Sequence, residues 1–180
     1  MTAEPVIAPL NPSHGEELLD ALDALLRDAV ESGASVGFLP PLGAEESRAF
    51  WQGTLDEVTS GTRLALGAWL DEQLVGTVHL ALATKPNGRH RGEVQKLLVH
   101  TTARRRGIAH ALLGAIERAA LESGRTLLVL DTEQGNDAER LYRRVGYNEA
   151  GVIPRFAATT AGPLVATVIF YKELDRVLLP

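Results

Sequence analysis

"LVHTTARRRGIAHALL", residues 98–113, runs from an apolar strand end through three successive arginines and a glycine into a helix with no loop between. One reading is a basic, solvated turn before an ordinary amphipathic helix. The other is a backbone cradle for phosphate. The first amides of a helix have no partner within it, and the macrodipole places about half a positive charge there. Gly107 would let a ligand reach the backbone with no Cβ in the way, and Ala109 is nearly as small. Three or four charge-assisted hydrogen bonds of about 1.5–3 kcal/mol each would hold a pyrophosphate firmly. No Lys-Ser or Lys-Thr pair follows the glycine as in a Walker loop, and no early G-x-G-x-x-G marks a dinucleotide fold.

The flanking sequence places this turn between two strands. Upstream, "TRLALGAWL" (62–70) and "QLVGTVHLALAT" (73–84) predict a hairpin. "KPNGRHRG" (85–92) turns through Asn87-Gly88, and "EVQKLLVH" (93–100) completes an antiparallel meander. Downstream, a helix over about 107–122 closes at Ser123-Gly124, and the apolar "TLLVLD" (126–131) follows. Strand, helix and buried strand in that order predict a right-handed crossover with parallel pairing. "NDAERLYRRVGY" (136–147) reads as a last short helix, "VIPRFAATTAGPL" (152–164) as a loop, and "VATVIFYKEL" (165–174) as a long final strand. Before the meander come a short strand at 5–10 and a helix over 11–33, capped by Asn11 or Ser13. Its leucines at 18, 19, 22, 25 and 26 make one apolar face. A Gly- and Pro-rich loop (33–43) and a second helix (44–61) complete this part.

With 180 residues, 45% hydrophobic and 23% charged, the chain has the size and composition of one α/β domain spanning 1–180. A net charge of -5 argues against a general nucleic-acid binder, whose phosphate contacts need a basic surface. The absence of cysteine excludes disulfides and cysteine-ligated zinc, and fits a reducing, cytoplasmic compartment. Neither a signal peptide nor an apolar run of membrane-spanning length is expected from the sequence.

The arginine turn in this context resembles a known family. Arg104-x-x-Gly107-x-Ala109 is similar to the Q/R-x-x-G-x-G/A signature of the GNAT superfamily of N-acetyltransferases. "DAERLYRRVGY" is similar to that family's A-x-x-L-Y-x-x-x-G-F/Y at Ala138, Leu141, Tyr142, Gly146 and Tyr147. The asparagine often found three residues before that alanine is replaced by Gly135, with Asn136 one place later. "GASVGF" (33–38), "KPNG" (85–88), "EVQKLLV" (93–99), "LDTE" (130–133) and "ATVIFYK" (166–172) look like the tabtoxin resistance branch of the family, which acetylates a β-lactam-containing amino acid toxin. The resemblance implies a mixed, mostly antiparallel sheet with one splayed parallel strand pair and helices on both faces. It implies acetyl-CoA as cosubstrate, with no metal. Its pyrophosphate would lie on the amides of Arg104, Arg105, Arg106, Gly107, Ile108 and Ala109, and its acetyl carbonyl on a backbone N–H of Leu97, Leu98 or Val99. Tyr142 would contact the cofactor and protonate the leaving thiolate.

The acceptor chemistry can be argued from the residues. Only an amine's lone pair attacks a thioester, and removing a proton two or three pKa units above ambient costs about 3–4 kcal/mol. A positioned base recovers much of this. Glu93, Asp131, Glu133, His79 and His100 are the candidates, with Glu93 and Asp131 foremost. Glu93 stands eleven residues before Arg104, where the GNAT resemblance implies a base on the same strand, and Asp131 and Glu133 lie at the end of a parallel strand, where α/β sites gather. Plainer alternatives are a solvated strand start for Glu93, a turn cap for Asp131 and a packed side chain for His79; His100 and His110 flank the arginine turn, and His110 reads as a helix-face residue. Trp51, Trp69, Phe38 and Phe156 either line a pocket or fill the core. Phe38, Glu133 and Arg155 are the acceptor-binding candidates, Arg155 as the cation for a substrate carboxylate. A small amine is the expected partner, with neither nucleic acid nor membrane, and a homodimer is left open. Two other functions remain: an acyl-CoA sensor or interaction module without catalysis, and acetylation of a protein N-terminus or lysine.

Overall fold

A computed structural model describes residues 4–174. The chain opens with β1 (Val6–Pro9), a 3-10 turn over Pro12–His14, α1 (Gly15–Glu31) and α2 (Ala44–Thr59). β2 (Arg63–Leu70), β3 (Gln73–Leu82) and β4 (Arg91–Val99) form the meander. Then come α3 (Ile108–Glu122), β5 (Leu127–Glu133), α4 (Asp137–Arg144), β6 (Asn148–Ala158) and β7 (Leu164–Glu173). One seven-stranded sheet has the order β1-β2-β3-β4-β5-β7-β6, with only the β4–β5 pair parallel. The β2–β3 hairpin turns at Asp71-Glu72 with φ of 47° and 66°, the left-handed pair whose twist matches that of the strands.

The helices cover both faces because each carries one apolar stripe. On one face α1 buries Leu18, Leu19, Leu22, Leu25 and Leu26 together with Trp51 and Leu55 of α2. On the other α3 buries Ile108, Leu112, Leu113, Ile116 and Ala120 against Val78, Leu80, Leu128, Leu130, Val168 and Phe170, with Tyr142 of α4 joining them. Each such aliphatic side chain contributes about 1.5–3 kcal/mol through removal from water. Among the described residues no helix is long and apolar enough to cross a membrane.

The parallel pairing sets up the site by being short. Only Arg91–Glu93 pair with Leu127–Val129, and beyond Glu93 the strands part. Against β3, Thr77 faces Leu98 whereas His79 faces Gln95, so β4 carries an extra residue. Within it Lys96 has a φ of 50°. Such a bulge bends its strand and re-aims side chains.

Two sequence expectations are corrected. Asn11 caps the 3-10 turn, accepting from Ser13 N at 3.0 Å, whereas α1 begins at Gly15 behind His14. Residues 152–164, expected as a loop, include most of β6, which pairs with β7 in an antiparallel register broken between Glu149 and Gly151 and between Ile153 and Ala157. As an edge strand interrupted by Gly151 and Pro154 and exposed along most of its length, β6 shows no alternating burial pattern.

Candidate active site

The parting of β4 and β5 opens a cleft of about 740 Å³. Its floor is β4 from Glu93 to Val99. One wall is Asp131–Glu133 of β5 with Ala138, Leu141 and Tyr142 of α4, and the roof is the loop 32–37 with Phe156, Ala157 and Val165–Thr167. A smaller pocket of about 210 Å³ adjoins it, lined by Phe38, Leu39 and Glu133 among others.

At one end lies the arginine turn. Gly107 caps α3 in the left-handed conformation, φ 78°, and a Cβ built on it would meet no heavy atom within 4 Å. Gly107 is exposed and has no side chain to shield the start of α3, as a phosphate cradle requires. Ala109 lines the cleft, whereas the Ile108 side chain is buried in the core, leaving its amide as the group it can offer a ligand. Arg104 has its own task. Its Nε donates to the Val99 carbonyl at 3.2 Å and its Nη2 to Ser32 Oγ at 2.7 Å. Asp28 of α1 accepts from Thr101 N at 2.8 Å and from Thr101 Oγ1 at 2.6 Å. The turn is thus fastened to the end of α1 from both sides. Arg105 and Arg106 are exposed. Leu97, Leu98 and Val99 line the cleft; because Leu98 is buried, its backbone is what it can present there. Asn136 also lines it, but its amide is engaged. Oδ1 caps α4 by accepting from Glu139 N at 2.8 Å, and Nδ2 donates to Thr132 Oγ1 at 3.2 Å.

Toward the other end the carboxylates gather. Glu93 is exposed where the parallel pairing ends, and its Oε1 accepts from Gln95 Nε2 at 2.9 Å. Gln95 Oε1 accepts in turn from Arg63 at 2.8 Å, and Arg63 pairs with Glu57 of α2. Asp131 accepts from Thr167 Oγ1 at 2.7 Å across the β5–β7 pair. Glu133 lines both pockets. Tyr142 is buried, edge-on to Tyr147 with ring centres 5.6 Å apart. Burial, and then the negative charge of Asp131, push its hydroxyl well above the ordinary tyrosine value. It therefore holds its proton throughout the neutral range. Lys96 stands on the floor, held below the ordinary lysine value by burial and then by Arg63, while Asp131 and Glu93 pull the other way.

Glu93, Asp131, Glu133 and Tyr142 thus share the cleft with Arg104 and Ala109. His79 does not line it. Fully buried beside Trp51, with neither ring nitrogen hydrogen-bonded, it is kept neutral by burial and by the nearby Arg63 and Lys96 charges. His100 closes the turn after β4 through Thr102, with 2.9 Å between Nδ1 and Oγ1, and His110 is exposed on α3. Phe38 reaches only the smaller pocket and packs edge-on against Phe50. Trp51 fills the core, Trp69 packs against it, and Phe156 lines the cleft. Arg155 sits exposed in the irregular part of β6, φ 53°, outside the lining of either pocket. Sequence reasoning missed Gln95, Thr167 and Lys96. Gln95 was signalled by its place two residues from Glu93 on the same strand, and Lys96 by being a lysine within the apolar run of a central strand. Nothing in the sequence gives the register that brings Thr167 to Asp131.

Residues 19–147 match the model of the acetyltransferase (GNAT) family. Solved structures with the same fold include a ribosomal-protein-alanine N-acetyltransferase from Brucella melitensis. It is 24% identical, with a TM-score of 0.78 over 94% of this chain and 99% of that one. An acetyltransferase from Salmonella typhimurium, solved with its cofactor acetyl-CoA, is 17% identical with a TM-score of 0.78 over 99% and 98% of the two chains. An aminoglycoside 6'-N-acetyltransferase complexed with coenzyme A is 18% identical with a TM-score of 0.72 over 94% and 97%.

Proposed function

Because the chain belongs to the acetyltransferase (GNAT) family, we propose that it moves an acetyl group from acetyl-CoA to the primary amine of a small amino-acid-like molecule, by direct attack with both bound. The observation that carries this reading is the pair of carboxylates, Glu93 and Asp131, held by Gln95 and Thr167 on the two parting strands, in one cleft with the protonated Tyr142. A sensor of acyl-CoA needs only the turn at the other end.

Acetyl-CoA supplies the acetyl group as a thioester. The residues present fit it: Gly107, exposed and without a side chain, stands at the start of α3, and backbone from Leu97 to Val99 is free of β5. That two solved structures of this fold hold acetyl-CoA or coenzyme A supports the same ligand here. Glu93 or Asp131 takes the proton from the amine as it attacks. Tyr142, with its proton held by burial, donates to the departing sulfur. With no cysteine in the chain to carry the acetyl group, direct transfer is the simpler course. The roof formed by residues 32–37 and the β6–β7 end suits a small molecule better than a protein chain. The sequence blocks shared with the tabtoxin resistance branch support an amino-acid-like acceptor and a role in antibiotic resistance. The unit doing this is taken as one domain, 1–180, working in the cytoplasm.

The test is a panel of amino acids, amino-acid antibiotics, aminoglycosides, polyamines and peptides, read by release of CoA thiol. Small amino-acid-like amines should be turned over, and Glu93→Gln should lower turnover by about 10²-fold or more, most strongly at low pH where the amine is hardest to deprotonate. Turnover confined to peptide N-termini or polyamines would overturn the acceptor reading. A wild-type pH profile in Glu93→Gln would remove Glu93 as the base.

A further inference from the structure

The cleft contains a cation that neither the core nor the arginine turn uses. Lys96 stands on the β4 bulge, its backbone left-handed at φ 50°. Its Nζ lies 5.2 Å from the centre of the Phe50 ring and 5.7 Å from that of Phe38. Gly37 of the roof is beside it, where a Cβ would come within 3.7 Å of Nζ. The Lys96 Nζ lies over these ring faces, and among the described residues no acceptor takes a hydrogen bond from it. A ring face attracts a cation but leaves its three N–H donors without lone pairs.

Charges of both signs therefore border one space. Glu93 and Asp131 act electrostatically on Lys96 from β4 and β5, while Arg63 on β2 opposes them and His79 on β3 is neutral. A ligand with an ammonium group and an acid group close together would complement this arrangement. The ammonium would go to the carboxylates, where its proton is removed, and the acid to the lysine, whose charge is disfavoured by burial until an anion arrives. Arg155, expected from the sequence to hold a substrate carboxylate, lies outside the cleft lining.

We propose that Lys96 binds a carboxylate of the acceptor, and that the protein accordingly selects α-amino acids over amines lacking an acid group. This rests on the amine-acetylating function proposed above. The ring faces of Phe38 and Phe50 hold the ammonium in place, and Gly37 leaves a space the size of one carbon beside Nζ for a carboxylate oxygen.

Wild type, Lys96→Met and Lys96→Arg are assayed by CoA thiol release, first with the twenty proteinogenic amino acids and then with the primary amides of those turned over. Methionine is close to the stem in length and adds no branch at the left-handed position. The thermal shift given by acetyl-CoA reports whether each variant is folded with its arginine turn intact. Wild type should prefer each acid to its amide in kcat/KM. Lys96→Met should reduce that preference by about tenfold or more, mainly through KM of the acid, as expected for loss of a charge-assisted hydrogen bond. Lys96→Arg should restore part of it. Because acid and amide are compared within each variant, the lower basicity of the amide cancels between variants. A wild type that favours amides, a Met variant that keeps the wild-type preference, or one that loses acid and amide turnover equally would each overturn the role of Lys96 alone. A wild type that turns over no amino acid but does acetylate polyamines or peptides would overturn the acceptor reading itself.

Discussion

Gly107 and Gly124 stand at opposite ends of α3 with nearly the same φ, 78° and 77°, and a Cβ on either would meet nothing within 4 Å. Only Gly107 belongs to the proposed cradle, so the pair separates backbone strain from loss of ligand. An aspartate in the left-handed region costs about 1–2 kcal/mol. At Gly107 its negative charge lies at the positive end of the helix and recovers about 0.3–1 kcal/mol, whereas at Gly124 it lies at the negative end and costs a similar amount. For a chain of this size, that gives a fall in Tm of roughly 2–4 °C for Gly107→Asp and roughly 4–8 °C for Gly124→Asp. Acetyl-CoA at 100 times its Kd should stabilise wild type by about 2.7 kcal/mol, or roughly 5–11 °C. Melting curves with and without acetyl-CoA decide the matter. Gly124→Asp, the less stable variant, should keep the full shift, and Gly107→Asp, the more stable one, should lose it. A wild-type shift in Gly107→Asp would remove the phosphate from the arginine turn.

If the Tyr142 hydroxyl serves the departing sulfur, Tyr142→Phe should lower kcat by about tenfold or more with little change in KM for acetyl-CoA; steady-state kinetics at saturating acceptor check this, and wild-type turnover would leave Tyr142 as a packing residue. His79 predicts a pH dependence of stability. Its folded pKa lies well below the ordinary 6.5, so above that pH both states carry a neutral ring and the group has no effect. As pH falls below 6.5 the unfolded chain binds the proton first and stability drops, by at most about 1.4 kcal/mol per pH unit. Urea unfolding between about pH 7 and pH 5 should show a shallower loss in His79→Phe than in wild type, and equal slopes would contradict a neutral buried imidazole.

What the sequence revealed followed from periodicity and punctuation. The leucines of α1, the meander with its turns and the strand–helix–strand crossover were legible because burial on one face imposes a period of about 3.6 or 2 residues. β6 was not, because an exposed edge strand has no buried face to impose alternation, and Gly151 and Pro154 resemble loop punctuation. Within the site, Glu93, Asp131 and Tyr142 could be named from strand ends and motif spacing. Lys96 could not be placed, because its direction depends on one extra residue in β4 that shows only when β3 is laid beside it. Arg155 failed for the same reason in reverse: it is close in sequence to the final strand, but the register break between Ile153 and Ala157 leaves it outside the lining.

That extra residue accounts for much of the architecture of the cleft. By bending β4 it goes with the end of parallel pairing at Glu93, leaving the backbone of 97–99 unpaired with β5 and Glu93 and Asp131 on separate strands. The bulge also carries Lys96, whose ammonium lies over the rings of Phe38 and Phe50. Taken one at a time these features are unfavourable. A lysine in the left-handed region costs about 1–2 kcal/mol, and an ammonium partly drawn from water without a protein acceptor is destabilised. An acyl-CoA sensor would need none of them, since the arginine turn and the latches from Asp28 and Ser32 are at the opposite end. Strain and lost solvation gathered on a lysine that lines the cleft fit a site whose costs are offset by a ligand carrying the opposite charges. A zwitterion does this: its ammonium meets Glu93 and Asp131, and its acid group supplies acceptors that the described residues do not give the Lys96 ammonium.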